Sequence, residues 1–137
     1  MSTAARRGIS PMPITQPKQK YAAKKTVVDG VTFDSRMEAD YYVYLCGLRD
    51  MGAIRSFVLQ PPFVLQPAFK KHGKMFRGIT YKADFGIVWA DGSKTVVDVK
   101  GMPTPVFKLK AKMYSRLYDE PLVCVTRARG GWREWQP

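Results

Sequence analysis

Soft metal ligands and long apolar runs are both scarce in this sequence. It has two cysteines, Cys46 and Cys124, without a C-x-x-C motif, and one histidine, His72, so a zinc site is not expected. Both cysteines lie among apolar residues, which predicts buried, reduced thiols in a cytoplasmic protein. No apolar run approaches the roughly 18 residues of a membrane-spanning helix, and we expect no membrane partner.

Acidic residues are also few. The 137 residues include 23 Lys and Arg but only 11 Asp and Glu, which gives a net charge of +12. Such an excess is far larger than solubility requires and indicates a polyanionic partner. Because membrane-binding features are lacking, nucleic acid is the polyanion that the composition favours.

The beginning of the chain is a basic segment. Residues 1–25 contain six basic residues, three prolines and no acid, and they lack the apolar core of a secretory signal. This composition predicts a flexible tail, and both a solubilising extension and a DNA-contacting arm agree with it. The length of the chain and its 45% hydrophobic content predict one folded domain, which we place at residues 26–137.

Local signals predict two helices. Ser35 and Glu38 form a capping-box pattern, and apolar residues then recur at helical spacing, so a helix is predicted from about 36 to 51. Thr104, followed directly by a proline, suits an N-cap and predicts a second helix over roughly 105–118.

Strands are predicted around these helices. Asp29-Gly30 suits the turn of a short hairpin, and Pro61-Pro62 interrupts the apolar segments that follow the first helix. A longer hairpin over residues 75–100 precedes the second helix, and a last strand over 121–129 follows it. The order of elements predicts a mixed α/β fold, in which helices flank a mixed central β-sheet.

Asp84, Asp98 and Lys100 interrupt the apolar strands of the longer hairpin. Alternate residues of a strand share a face, so Asp98 and Lys100 are expected to point away from the core-facing valines beside them. A three-residue loop that ends at Gly92 would place Asp84 directly opposite Asp98, whereas a two-residue turn would separate the two acids.

The apolar face of the first strand favours the three-residue loop. This face consists of every second residue and leaves Asp84 on the other side: Tyr81, Ala83, Phe85, Ile87 and Trp89. Only the three-residue loop puts these side chains on the same face as the valines of the second strand.

Two carboxylates that face each other directly repel and destabilise a sheet. Lys100 would offset one of the charges, while a hard divalent cation would convert the repulsion into ligation. Glu38 is a candidate for a third carboxylate ligand, although reciprocal capping with Ser35 already accounts for an acid at that position.

These residues resemble the PD-(D/E)XK nuclease superfamily. Its pattern is an early helical Glu, an Asp, and then D/E-x-K on the next strand, and here Glu38, Asp84 and Asp98-x-Lys100 follow that order. An acid-x-Lys triplet alone would occur about once by chance in a chain of this composition. Residues 26–126 as a whole are similar to the small phage and prophage endonucleases described as Holliday junction resolvases.

Two positions depart from the superfamily pattern. Ala83 replaces the proline that gives the motif its name. Exonuclease members often carry Gln-x-x-x-Tyr on the following helix, and here Lys110 and Tyr114 stand in a similar place. This difference puts exonuclease activity in doubt, and the lysine could instead contact a phosphate.

The resemblance implies a restriction-endonuclease-like core and a Mg²⁺-dependent endonuclease, with Mn²⁺ as a substitute. Asp84, Asp98, the Val99 carbonyl and Glu38 would bind the metal, and Lys100 would orient the attacking water or stabilise the phosphate. The implied substrate is four-way or other branched DNA in the cytoplasm of a bacterial host. Symmetric cutting of a junction requires two sites, so a homodimer is also implied.

DNA affinity is expected to come mainly from phosphate contacts. The candidate residues form two basic groups, one in a loop and one on the second helix: Lys70, Lys71, Lys74 and Arg77, then Lys108, Lys110, Lys112 and Arg116. A solvated surface would account for either group equally well. Phe69 and Phe76 flank the basic loop, which also contains His72; core packing is the expected role of both rings, and stacking on bases is the alternative.

Two other functions fit the same residues. One is a restriction-type or transposon-end nuclease, which shares the chemistry but acts on a different substrate. The other is a non-catalytic nucleic-acid-binding module whose acids are structural. Mg²⁺-dependent strand cleavage separates the last of these from the nucleases.

Overall fold

The computed structural model describes residues 24–137. They divide into two compact units at Arg36–Met37, and each unit is described by itself. Most of the predicted tail, residues 1–23, lies outside the described residues. The predicted domain boundary at residue 26 therefore stays a prediction.

The first unit contains the short hairpin predicted from Asp29-Gly30. Strands β1 (Thr26–Val28) and β2 (Val31–Phe33) pair antiparallel. Asp29 and Gly30 have positive φ values of 52° and 77°, as a two-residue turn requires when its twist matches the flanking strands.

The described part of the chain contains two helices, α1 (Arg36–Asp50) and α2 (Pro105–Leu117). Both confirm the predictions. Gly52, at φ 82°, follows the end of α1, and the hydroxyl of Thr104 accepts a bond from the Phe107 N–H that caps α2. Among these residues no helix is long and apolar enough to cross a membrane.

The second unit also contains nine strands in its described residues. They are β3 (Ile54–Leu59), β4 (Pro62–Gln66), β5 (Phe69–Lys71), β6 (Lys74–Phe76), β7 (Ile79–Lys82), β8 (Phe85–Trp89), β9 (Lys94–Val99), β10 (Leu122–Ala128) and β11 (Gly131–Trp135). Five of them form one sheet in the order β11-β10-β9-β8-β3, while β4 pairs with β7 and β5 with β6. Only β9 and β10 are parallel in the five-stranded sheet, and α2 connects them. The fold is mixed α/β, as predicted.

Helices cover both faces of this sheet. On the face of α1, the Tyr41 ring lies 5.4 Å from that of Phe85 and meets Trp132 edge-on at 4.9 Å. On the other face, α2 contributes three residues to a buried cluster that also holds residues of four strands and one residue next to a strand: Phe107, Ala111 and Tyr114, with Leu65, Tyr81, Ala83, Val96, Leu122 and Cys124. Both cysteines are free thiols, Cys124 buried and Cys46 half-buried.

The central strand β9 is therefore buried on both sides. Val96, Val97 and Asp98 are all buried, and Asp98 is only 4% exposed. Asp98 points away from the face of Val97, as predicted, but the prediction that only the valine face is a core face is wrong. Alternation within the strand cannot reveal the second apolar layer, because the residues of α2 supply it.

The loop and register of the β8–β9 hairpin confirm the prediction. Phe85 pairs with Val97, and the Trp89 N–H donates to the Ser93 carbonyl at 2.8 Å across a three-residue loop. Gly92 takes a positive φ of 90° at the third loop position. Continuing this register by one residue places Asp84 directly opposite Asp98.

The common apolar face predicted for residues 81–89 is wrong, because the chain bends at Ala83–Asp84. Tyr81 and Ala83 pack with Val96, whereas Phe85 pairs with Val97, whose side chain points to the other face.

Two backbone hydrogen bonds connect the bend to residues 60 and 61. Gln60 donates its N–H to the Asp84 carbonyl at 2.9 Å, and Ala83 donates to the Pro61 carbonyl at 3.1 Å. The break predicted at Pro61-Pro62 therefore extends to the paired strand. The single strand expected before the loop is divided into β7 and β8.

Two hairpins were missed at the level of the sequence. His72 and Gly73, with φ of 51° and 76°, form a tight turn between β5 and β6 where a solvated loop was predicted. The expected core packing of Phe69 and Phe76 is also wrong, because both side chains are exposed. At the C-terminus, β10 and β11 form a second unexpected hairpin.

Candidate active site

Four predicted site residues lie at the ends of three elements. Glu38 is in the first turn of α1, Asp84 directly precedes β8, and Asp98 is the second-last residue of β9. Lys100 lies one residue beyond β9, and its N–H donates to the Val125 carbonyl at 2.8 Å. The start of one strand and the end of its antiparallel partner thus bring the two aspartates together.

Asp84 is the centre of a cluster of three carboxyls. The carboxyls of Glu38 and Asp98 both raise the pKa of the Asp84 carboxyl. Its Oδ2 also accepts a bond from the Val99 N–H at 2.8 Å, which fixes the orientation of the group. Glu38, 6% exposed, and Asp98, 4% exposed, are buried, so water screens little of the repulsion between the carboxyls.

The electrostatics of the cluster favour a proton on Asp84. Burial raises the pKa of the Asp84 carboxyl, and the hydrogen bond to Glu38 and the charge of Asp98 raise it further. Neither Asp84 nor Asp98 forms an ion pair with a Lys or Arg of residues 24–137. The raised pKa thus places the proton on Asp84, beside two buried acids.

Lys100 does not neutralise the aspartates in the way that its position suggested. Its ammonium lies 4.7 Å from the centre of the Phe107 ring, in a cation–π contact on the α2 side of the sheet. Among residues 24–137 it forms no salt bridge with an acid.

Tyr81 belongs to the site, and sequence analysis missed it. Its hydroxyl donates a short hydrogen bond to Oδ2 of Asp98. Burial, the Asp98 charge and this bond all raise the pKa of Tyr81, so the hydroxyl remains a donor. A strand pattern that placed Tyr81 and Asp84 on opposite faces could not show this contact, which depends on the bend between β7 and β8.

The oxygen atoms of the cluster are suitable ligands for a hard divalent cation. Three carboxyls and nearby backbone oxygens are the ligands that Mg²⁺ prefers. Among residues 24–137, however, no three His, Cys, Asp or Glu side chains form a group that could hold a metal ion as it stands. Because the pKa of Asp84 is raised, binding of a cation there requires this carboxyl to release its proton.

The predicted DNA-binding residues form two separate surfaces. Lys70, Lys71 and Lys74 lie on β5 and β6, Arg77 directly follows β6, and all four side chains are exposed. The second surface is on α2.

On α2, Lys108, Lys112 and Arg116 are exposed at intervals of four residues, so they form one stripe along the helix. Lys110 is off this stripe and donates from Nζ to the Thr80 carbonyl at 3.0 Å, which ties it to β7. A groove of about 540 Å³ borders the stripe, and Trp135 of β11 lines it together with Lys108 and Lys112. The sequence analysis did not single out Trp135.

A family comparison covers most of this chain. The model of the family described as protein of unknown function (DUF1064) matches residues 18–129. The chain belongs to this family. The match includes Glu38, Asp84, Asp98 and Lys100, and the description names no activity or cofactor. Comparison with curated proteins and with solved structures found no match.

For this DUF1064 protein, we expect Asp84→Asn to stabilise the metal-free fold, increasingly so as pH rises. The raised pKa means that folded Asp84 keeps a proton that the unfolded chain releases above about pH 4. The contribution of Asp84 to the stability of the wild-type fold is therefore fully present below about pH 4. It is lost as the pH rises toward the raised pKa. Asparagine keeps the shape of the group without a charge.

Urea unfolding in EDTA at pH 4, 6 and 8 measures this effect. The free energy of unfolding of the variant, relative to that of wild type, should rise by at least ~1.4 kcal/mol from pH 4 to pH 8. This amount is the equivalent of one pKa unit. The exposed Asp119→Asn is the control and should give a constant difference. A difference that stays constant with pH for Asp84→Asn would contradict the raised pKa of Asp84.

Proposed function

We propose that this chain is a metal-dependent, structure-selective DNA endonuclease that hydrolyses phosphodiester bonds in branched DNA, as Holliday junction resolvases do. The observation that carries the proposal is that the register sets Asp84 directly opposite the buried Asp98, while the buried Glu38 and Asp98 both raise the pKa of Asp84. Three adjacent carboxyls are costly unless they serve a cation, and a net charge of +12 suits a polyanionic substrate. A restriction-endonuclease-like core is part of this proposal.

The residues that would hold the metal are Asp84, Asp98 and Glu38, with the Val99 carbonyl as a further ligand. We expect Mg²⁺, with Mn²⁺ as a substitute, because both prefer oxygen ligands. The ion would neutralise charge on the scissile phosphate and promote ionisation of a water molecule near neutral pH. The Val99 N–H and the Tyr81 hydroxyl each hold one aspartate oxygen, which orients both carboxyls.

Lys100 would act on the phosphate. It follows Asp98 by two residues, so both start from the same side of the sheet. Its ammonium can stabilise the negative charge that develops on the phosphate, or it can orient the attacking water. The contact with Phe107 limits the freedom of its long side chain before substrate binds.

A homodimer and the two basic surfaces complete the proposal. Symmetric cutting of a four-way junction requires two active sites related by a two-fold axis. The lysines of the β5–β6 hairpin and of α2 would contact phosphates on the DNA arms.

A non-catalytic nucleic-acid-binding module is the second candidate, and the site contains one observation in its favour. Protein donors already occupy an oxygen of Asp84 and of Asp98, and no metal-ready group is present among residues 24–137. In that function the carboxyls would be structural.

Incubation with Mg²⁺ on four DNA substrates tests the proposal. The substrates are a four-way junction, a flap, a linear duplex and a single strand. We expect cleavage of the branched substrates that EDTA abolishes. Binding without cleavage would support the non-catalytic module, and efficient cutting of linear duplex would support a restriction-type or transposon-end nuclease.

Glu38→Gln tests the third carboxyl. Glutamine can still make a capping bond to a backbone N–H, but it is a poorer ligand for a hard cation. We expect a variant whose melting temperature is no lower than that of wild type and whose cleavage is reduced by about 100-fold, which corresponds to ~2.7 kcal/mol of transition-state stabilisation. Full cleavage activity would leave Glu38 only its capping role.

A further inference from the structure

The β5–β6 hairpin is an exposed two-stranded element with its own sheet. It pairs with no other strand of the described residues, and all six of its strand residues are exposed. An isolated hairpin of this kind is marginally stable in water. Its residues are therefore better explained by a partner than by the fold.

One face of the hairpin carries an aromatic pair and a lysine pair. Phe69 is directly opposite Phe76, and their rings stack at 4.8 Å with an angle of 10° between their planes. Lys71 is directly opposite Lys74 on the same face, two residues from each phenylalanine. The Lys74 ammonium lies 5.2 Å from the centre of the Phe76 ring.

Both the aromatic pair and the lysine pair cost free energy if this face contacts only water. The two rings are 40% and 38% exposed, although burial would stabilise each of them. Like charges directly opposite each other destabilise a strand pair. No acidic residue occurs between Asp50 and Asp84 to balance the lysines within this segment. An anion that also has a flat apolar surface would relieve both costs.

The base of the hairpin is packed tightly against the preceding segment. A Cβ at Gly78 would lie 2.9 Å from the Gln66 carbonyl oxygen and 3.1 Å from the Ala68 nitrogen, so this position accepts only glycine without a shift of the backbone. The aromatic pair lies at this anchored end, away from the His72-Gly73 turn. The two rings therefore have a defined position within the unit.

We propose that the Phe69–Phe76 pair is a stacking platform for an unpaired DNA base, with Lys71 and Lys74 binding the phosphates beside it. Every base has a flat π-face that can stack on an aromatic side chain, and its backbone carries the charge that the lysines require. This inference rests on the proposed function only in taking DNA as the partner. It adds a site for the unpaired bases that branched DNA exposes.

Two other occupants fit the hairpin less well. A second copy of the chain would bring the same lysines against each other. Insertion into an anionic membrane would begin at the turn, but the turn is flanked by Lys71 and Lys74 while the rings lie at the opposite end. A membrane-inserting hairpin would have its apolar residues at the tip.

The test uses the full chain with Asp84→Asn, in EDTA, so that binding does not depend on cleavage. The probes are a duplex with a bulge of unpaired 2-aminopurine, the same duplex fully paired, and phosphatidylcholine vesicles with added phosphatidylserine. The variants are Phe69→Leu with Phe76→Leu, which keeps apolar bulk but removes both rings, and Lys71→Ala with Lys74→Ala. Met75→Ala, on the opposite face and 63% exposed, is the control.

We expect the leucine variant to bind the bulged duplex about tenfold more weakly and the paired duplex within about twofold. It should also lose the quenching of 2-aminopurine that stacking produces. The lysine variant should weaken both duplexes equally and reduce the salt dependence of binding. The control should bind both duplexes as the parent chain does.

Equal effects of the leucine variant on both duplexes, or no effect on either, would overturn the inference. So would a loss confined to vesicle binding. Failure of the proposed nuclease gives a different result: no cleavage by the wild-type chain, with the preference for the bulged duplex unchanged.

Discussion

Replacing Asp84 or Asp98 by asparagine is expected to abolish Mg²⁺-dependent cleavage and to leave DNA binding near the wild-type level. Each change removes a metal ligand but no phosphate contact. A loss on the order of 10³-fold corresponds to ~4 kcal/mol of transition-state stabilisation. Cleavage of a labelled four-way junction gives the rate, and fluorescence anisotropy in Ca²⁺ gives the affinity.

Asparagine is a stringent substitution at both positions. Its carbonyl can still accept the Val99 N–H at position 84 and the Tyr81 hydroxyl at position 98, so local hydrogen bonding survives. Asp119→Asn, an exposed acid after α2, provides the matched control and should retain full activity. Mg²⁺-dependent cleavage by both site variants would show that the carboxyl cluster is not the active site.

The second large effect concerns the DNA substrate and its response to salt. Affinity for linear duplex should fall steeply, by about 10³-fold or more from 50 to 200 mM salt, if six or more phosphate contacts are made. Affinity for a four-way junction should fall less, so the ratio of the two affinities should hold or grow. A net charge of +12 by itself attracts any duplex regardless of shape.

Geometry would provide the selection that charge cannot. A dimer with two sites at a fixed separation can engage two strands of a junction at once, and a linear duplex offers no such arrangement. Paired nicks should therefore appear symmetrically about the branch point. A ratio that falls to one, or cuts scattered along linear DNA, would remove the resolvase function while leaving a nuclease site possible.

Local sequence signals were sufficient to predict those helices and hairpins whose ends are set by adjacent residues. The cap at Thr104, the Asp29-Gly30 turn and the glycine at position 52 act through backbone bonds and φ preferences of adjacent residues. The same holds for the register that sets Asp84 opposite Asp98, because the loop and Gly92 determine it within a few residues.

Other parts of the candidate site depended on residues far apart in the chain. The order of Glu38 and the aspartates suggested the cluster only through a resemblance. The effect of Glu38 on the pKa of Asp84 requires the first turn of α1 to lie near the start of β8. The bond from Tyr81 to Asp98 requires the bend at Ala83–Asp84.

Burial was the property that the sequence could not determine. Asp98 is buried because α2 covers a strand face that alternation alone marks as polar. Phe69 and Phe76 are exposed, although their apolar side chains predict core packing. A residue's own type and spacing decide its local conformation, since those interactions span a few residues. Whether it meets water depends on which distant segments pack over it, and only the tertiary structure decided that.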